Sequence, residues 1–385
     1  MYQYLGPGLA YVVIWLGGSG ERPMNARDVA MILRDGTDAT KFKVLHDVFF
    51  AKPSLVDPTT VPSSELFGLL RSKNSRLRGM AITYLGNRQW DDERFFSEFA
   101  RLAKDESEDT AIRRNAIYFI CLRYTDCLEL LDELLMHRNP KIREGVSSNL
   151  HRLQSDTANV DRLRSLYVKA LGDLDAAVRY HGWSALCEAG NTNKAILKLP
   201  KGAAPVVRAY FYGARVAVNP HDKQSVGSLC ELLSDRNMSV REAVADGLLD
   251  ARVFDVSHVK LINTALLDRS PKVRSSMCVV AAYLPPEGLP WLSNLSGCLE
   301  DENPKVREDA LTAVGSLKDK RQLTLVLRAL NAKSEPASLR YRALDALVLI
   351  GDNSPEVLAG IRDGARTGCI DRDEAERAIR KLRRR

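Results

Sequence analysis

Asn303-Pro304-Lys305-Val306-Arg307-Glu308-Asp309-Ala310-Leu311 reads as the opening of a helix and reveals the plan of the chain. Asp301 precedes it, and Pro304 suits a first helical turn because its missing N–H would have no partner there anyway. Val306, Ala310, Val314 and Leu317 follow at steps of four, four and three, which makes one apolar stripe along a helix. The opening recurs. Pro271-Lys272-Val273-Arg274, Met238-Ser239-Val240-Arg241 and Pro205-Val206-Val207-Arg208 stand at successive 33-residue steps upstream, and Ser338-Leu339-Arg340 stands 33 residues downstream. Five arginines in phase at one period predict a helical repeat array.

Carried upstream, the same register predicts second helices opening at Arg78, Arg113, Arg143 and Arg179, with gaps of 35, 30 and 36 residues and then 29 to Arg208. Phe42-Lys43-Val44-Leu45 is a degenerate version of the start, which brings the array to about ten helical pairs. Irregular repeats occupy 24–205, regular 33-residue repeats 206–350, and a C-terminal cap 351–385. The gap of 29 leaves room only for a short first helix, about 193–199, which Pro200 and Gly202 end. Asp371 is the expected N-cap of the last helix, whose many charges suit a repeat that no further repeat covers.

Residues 1–23 do not fit the repeat. Their apolar run, Leu9 to Leu16, has no basic segment before it and is followed by Gly17-Gly18-Ser19-Gly20. It suits a flexible leader, a start at Met24 or, less well, a signal peptide. Asn25 is the expected N-cap of the first helix, and a loop carrying Pro53, Pro58 and Pro62 is expected before a helix from Ser63 or Ser64 into Leu70.

Composition bounds the class. At 385 residues the chain exceeds the size at which one compact core keeps growing, a limit that a solenoid avoids because each repeat contacts only its neighbours. Charged residues make up 27%, as in an ordinary soluble protein, and no apolar run reaches the ~18 residues of a membrane span. The net charge of +7 is largely a tail effect: without Arg380, Lys381, Arg383, Arg384 and Arg385, 51 basic residues face 49 acidic ones. Seven cysteines, odd in number and without C-x-x-C spacing, read as reduced thiols of a cytoplasmic protein.

Each unit therefore reads as a helix, a short turn with Asp, and x-Pro-x-Val-Arg opening a second helix. Asp173, Asp235, Asp268 and Asp301 stand six before their Arg; Val178, Val240, Val273 and Val306 one before; Ala81, Ala116, Ala310 and Ala343 three after. Over residues 25–385 this resembles the HEAT-repeat family, in the bacterial form called PBS-lyase HEAT-like. The resemblance implies an all-α fold, a right-handed α-solenoid. It also implies a hydrogen-bonded ladder between adjacent repeats built from Asp235, Asp268 and Asp301 with Arg241, Arg274 and Arg307. In early repeats the position six before the Arg holds Ser72, Ser107 and His137, where the ladder pattern is not met.

No nucleotide-binding, metalloprotease or nucleophile-elbow motif occurs, and the six histidines show no ligand spacing, so no enzyme activity, metal or cofactor is expected. Three functions remain. The first is a protein-interaction scaffold. The second is a DNA-binding solenoid like the HEAT-type alkylbase DNA glycosylases, with Arg380, Lys381, Arg383, Arg384 and Arg385 as nucleic-acid contacts. The third is a bilin lyase-type subunit, which the family name alone suggests.

The expected site follows from helix geometry. The family's second helices line the concave side, and at 100° per residue the positions one and five after each Arg point away from the core stripe. From Arg78 to Arg340 those eighteen positions hold five acids and one base, Arg114, which disfavours nucleic acid. A protein or peptide partner carrying basic residues is expected instead, with Tyr118, Tyr180, His181 and Tyr210 as its aromatic contacts and Glu242, Asp246, Glu308 and Asp345 as its polar ones. Packing within irregular repeats is the plainer role for the aromatic cluster, which also includes Tyr124, Trp183 and Tyr212.

Overall fold

The computed structural model describes residues 26–46, 63–87, 94–124, 126–153, 159–284, 289–290 and 292–384. The apolar run at 9–16, Asn25, the three loop prolines and Arg385 lie outside them. All regular structure among the described residues is helical.

The second helices form as their openings predict. In Pro304–Leu317 the Asn303 side chain accepts the Lys305 N–H at 2.9 Å and Pro304 occupies the first turn. Val306, Ala310, Ala313 and Val314 are fully buried along one side, and the helix ends where Lys318 turns into the left-handed region. Asn139 and Asn237 cap Pro140–Ser147 and Met238–Leu248 in the same way. Each fully buried Val or Leu contributes about 1.5–3 kcal/mol, and the stripe supplies several per helix. Packing between repeats, rather than helix propensity, therefore holds these short helices.

The chain divides into two compact units at Phe119/Ile120, inside helix Thr110–Arg123. The first unit pairs Ala26–Asp35 with Asp38–His46 and Ser63–Leu69 with Ser75–Asn87, followed by Arg94–Lys104. In the second, each repeat's second helix packs on its neighbours. Pro205–Val218 lies against Met238–Leu248, Pro271–Ala281 against Pro304–Leu317, and the latter against Ala337–Ile350. This is the α-solenoid arrangement.

Two repeats depart from the regular pair. After helix Ala176–Thr192, the next first helix is a single 3₁₀ turn, Lys194–Leu197, as the 29-residue gap requires. Arg164 donates to the Ala195 carbonyl at 2.7 Å and Arg215 to the Leu197 carbonyl at 3.0 Å, which fixes the turn from both sides. The other departure is hidden by the regular period. Ahead of Pro304 the first helix is only Leu295–Cys298.

Candidate interaction surface

The conserved geometry of the turns comes from one guanidinium per repeat. Arg274 donates through Nε and Nη2 to the Asp301 carboxylate at 2.7 and 2.8 Å, and through Nη1 to the Asp268 carbonyl at 2.8 Å. Arg241 makes the equivalent contacts with the Asp268 carboxylate and the Asp235 carbonyl. Asp268 and Asp301 thus each receive the preceding repeat's arginine on the side chain and their own repeat's arginine on the backbone. Arg307 continues the series to Asp301 O and Glu335, and Arg340 ends it at the Cys369 carbonyl, 2.6 Å away.

Asp301 is held below the ordinary carboxylate range. Burial alone would raise it, but hydrogen bonds from Arg274 and the Asn303 N–H outweigh that cost. Asp173 and Asp268 are lowered by the same balance.

The ladder also runs through repeats that lack the expected Asp. Arg78 holds the Glu108 carboxylate with two bonds of 2.6 Å and the Ser72 carbonyl with a third, and Arg143 holds Asp173. Glu108 and Glu335 stand five, not six, before Arg113 and Arg340; one extra methylene in Glu offsets the shift of one residue. Searching for Asp alone misses them. The series breaks between 179 and 241. Arg179 reaches only the Asp173 and Leu174 carbonyls of its own turn through Nη1, its Nε has no partner, and no bond joins Arg208 to Asp235. Tyr210 packs beside that break, where burial raises its phenol.

Tyr210 is consequently 5% exposed, so it packs the broken rung and presents nothing to a partner. That corrects its expected role as a surface contact. Tyr180 is 52% exposed, its ring 6.0 Å from Trp183 and 5.7 Å from His181. Tyr118 is half-buried in the first unit, edge-on to Phe119 at 4.9 Å. The two tyrosines belong to different units and are taken separately.

Three of the four acids expected on this face are already engaged. Asp246 is 9% exposed and bound by Lys272 at 2.7 Å, Glu242 accepts from Ser270 Oγ at 2.7 Å, and Glu308 lies 3.5 Å from Arg342. Asp309, which sequence reasoning passed over, is bound by Lys305 at 2.8 Å and by Ser275. Asp345 is exposed. The position two before each Arg falls on the same side at 100° per residue, and it carries Arg76, Lys141, Lys272 and Lys305. The face is a lattice of internal ion pairs, not a surplus of acid.

At the end of the chain Asp371 accepts the Asp373 N–H at 2.8 Å and caps Arg372–Arg383. Ala375, Ala378, Ile379 and Leu382 dock that helix, Arg380 lies 3.3 Å from Glu376, and Lys381, Arg383 and Arg384 are exposed. The seven cysteines are free and mostly buried; burial pushes Cys187 and Cys230 up to about 12. Among the described residues no helix is long and apolar enough to cross a membrane, and no group of His, Cys, Asp or Glu has the arrangement of a metal site.

A family model for HEAT repeats matches residues 258–347 and 292–380. No curated protein sequence matches the chain. Among solved structures, YibA of Escherichia coli is 19% identical, with 82% of this chain and 99% of that one covered at a TM-score of 0.51. The karyopherin Kap121p, in a complex with Ste12p, is 12% identical over 93% of this chain at a TM-score of 0.64, and the chain spans 45% of its length. Kap95p, in a structure with RanGDP, aligns over 93% of this chain and 62% of its own at 11% identity and a TM-score of 0.56. These likenesses are likenesses of fold.

Proposed function

We propose that this chain, whose residues 258–380 are HEAT repeats, is a non-enzymatic scaffold that binds a protein or peptide on the expected concave side, along the face its second helices turn away from the core. The observation that carries the reading is Tyr180. A tyrosine with half its surface in solvent, standing over Trp183 in the second unit, resembles the aromatic anchors that dominate protein interfaces. Ion-paired side chains surround such anchors well, because they add orientation and exclude water without leaving a charge unpaired. Protein binding is also what one fold neighbour does: Kap121p is bound to Ste12p in one structure and to the SUMO protease Ulp1p in another.

A partner rich in basic residues fits less well than the sequence suggests, since Lys272 and Lys305 already occupy Asp246 and Asp309. Asp345 is the acid left to read a basic group, so the contact is chiefly aromatic and apolar.

The test is capture of a partner from the native host by the whole protein, by Tyr180→Ala and by Tyr118→Ala, with helicity checked by circular dichroism. Tyr180→Ala is expected to lose at least about tenfold in affinity, the loss of one interface anchor. Undiminished capture by that well-folded variant contradicts the reading.

A further inference from the structure

The four residues missing from the 29-residue repeat leave a notch. Where other repeats place a first helix, the 3₁₀ turn Lys194–Leu197 leaves an open-sided cavity of ≈ 340 Å³ between itself and the C-terminal end of Pro205–Val218. Leu197 and Val218 form its apolar wall, and Lys194, Lys198, Arg215, Asn219 and Asp222 complete the lining.

Its polar groups are almost all unspent donors. Lys194 and Lys198 are exposed and form no ion pair. Arg215 is immobilised by its Nε bond to the Leu197 carbonyl and by the Tyr212 ring, 5.7 Å from its guanidinium carbon, and its two Nη groups bond no protein atom. Asn219 uses its side-chain oxygen on the His221 N–H, which leaves its amide hydrogens free. The one acid, Asp222, is committed to capping: its two oxygens accept from Ser225 N–H and Ser225 Oγ. Three cations thus face one satisfied carboxylate around an apolar wall.

The geometry points to a second binding site, independent of the second-helix face, that takes an acidic segment of a protein partner. A Glu or Asp carboxylate would meet Lys194, Lys198 and the Arg215 Nη edge, while a neighbouring aliphatic side chain packs on Leu197 and Val218. Arg215 presents a planar fork already fixed in place, which suits a carboxylate and lowers the entropy lost on binding. The volume lies at the lower end of ligand sites, enough for one or two side chains and not for a folded element.

The experiment is fluorescence anisotropy of the whole protein with a labelled peptide of alternating Glu and Leu. Saturable binding is expected, weakened by salt, weakened about tenfold or more in Lys194→Glu/Lys198→Glu, and unchanged in Tyr180→Ala. Lys194→Gln/Lys198→Gln, which removes charge at two exposed positions without reversing it, should show a smaller loss and secures the result if the reversed variant misfolds. No binding at millimolar peptide, equal binding of a Gln/Leu peptide, equal binding by both lysine variants, or displacement by equimolar pyrophosphate would each overturn the proposal. Loss of partner capture in Tyr180→Ala with peptide binding intact separates this site from the one proposed above.

Discussion

Arg274 engages four oxygens at once: two of the Asp301 carboxylate and the backbone carbonyls of Asp268 and Arg269. Only 11% of its side chain and 9% of that of Asp301 are exposed, so removing it leaves a largely buried carboxylate without its partner. Arg274→Ala should cost about 1.5–3 kcal/mol, the range for lost charge-assisted bonds. Lys272→Ala, which removes one half-exposed ion pair, should cost under about 1 kcal/mol. Coincident thermal melts of the two would refute the ladder's role. The same bonds set a pH dependence. Asp173, Asp268 and Asp301 have folded pKa values below their unfolded ones, so their contribution is fully present above about pH 4 and is lost as pH falls through the lower folded values. Asp301→Asn should be less stable than wild type at pH 7 yet lose less between pH 5 and 3; parallel profiles would contradict this. Of these residues, the Val-Arg openings and the Asp positions were legible in sequence because they repeat in phase. Glu108 and Glu335 were not, since a longer side chain reaches the same point from a different position.

At the scale of the element, the arginine period located every second helix from Ser75–Asn87 onward, because those helices carry both the cap and the core stripe. It did not predict that the first helix before Pro304 shrinks to Leu295–Cys298, since a conserved spacing between second helices constrains the segment between them only in length. How closely two helices approach is likewise invisible until packing is known. A Cβ on Gly213 would stand 2.9 Å from the Gly247 Cα, a backbone atom that cannot swing aside, whereas one on Gly68 would meet nothing within 4 Å. Gly213→Ala should therefore destabilise by about 1–3 kcal/mol through overpacking. Gly68→Ala should be neutral or stabilise by up to about 1 kcal/mol. Urea titrations give both signs, and a neutral Gly213→Ala would remove the close approach from the account. The last helix is docked by Ile379 and Leu382, upstream of the exposed arginines, so deleting 383–385 should leave the melt unchanged. If those arginines touch nucleic acid, the deletion should flatten the salt dependence of its binding; an unchanged slope assigns them to solubility and to the helix C-terminus.

For the whole molecule, sequence alone carried the architecture further than the surface. A repeat states its core in every unit, so the apolar pair of Val306 and Ala310 can be read five times over. A surface charge has no such redundancy: whether Asp246 reads a partner or Lys272 depends on a contact between helices that spacing does not encode. Tyr210 shows the same limit, since its burial depends on packing that its place in the repeat does not encode. What remains as the functional claim is a face built on stacked second helices, with Tyr180 as its anchor. The most direct measurement places a photo-crosslinking residue at Tyr180, at Tyr341, which is 36% exposed on another second helix, or at Ser165 on an exposed first-helix position, in the native host. The account predicts that one and the same protein is cross-linked from 180 and 341 and not from 165. Cross-links from 165 alone, or in equal yield from all three positions, would contradict it.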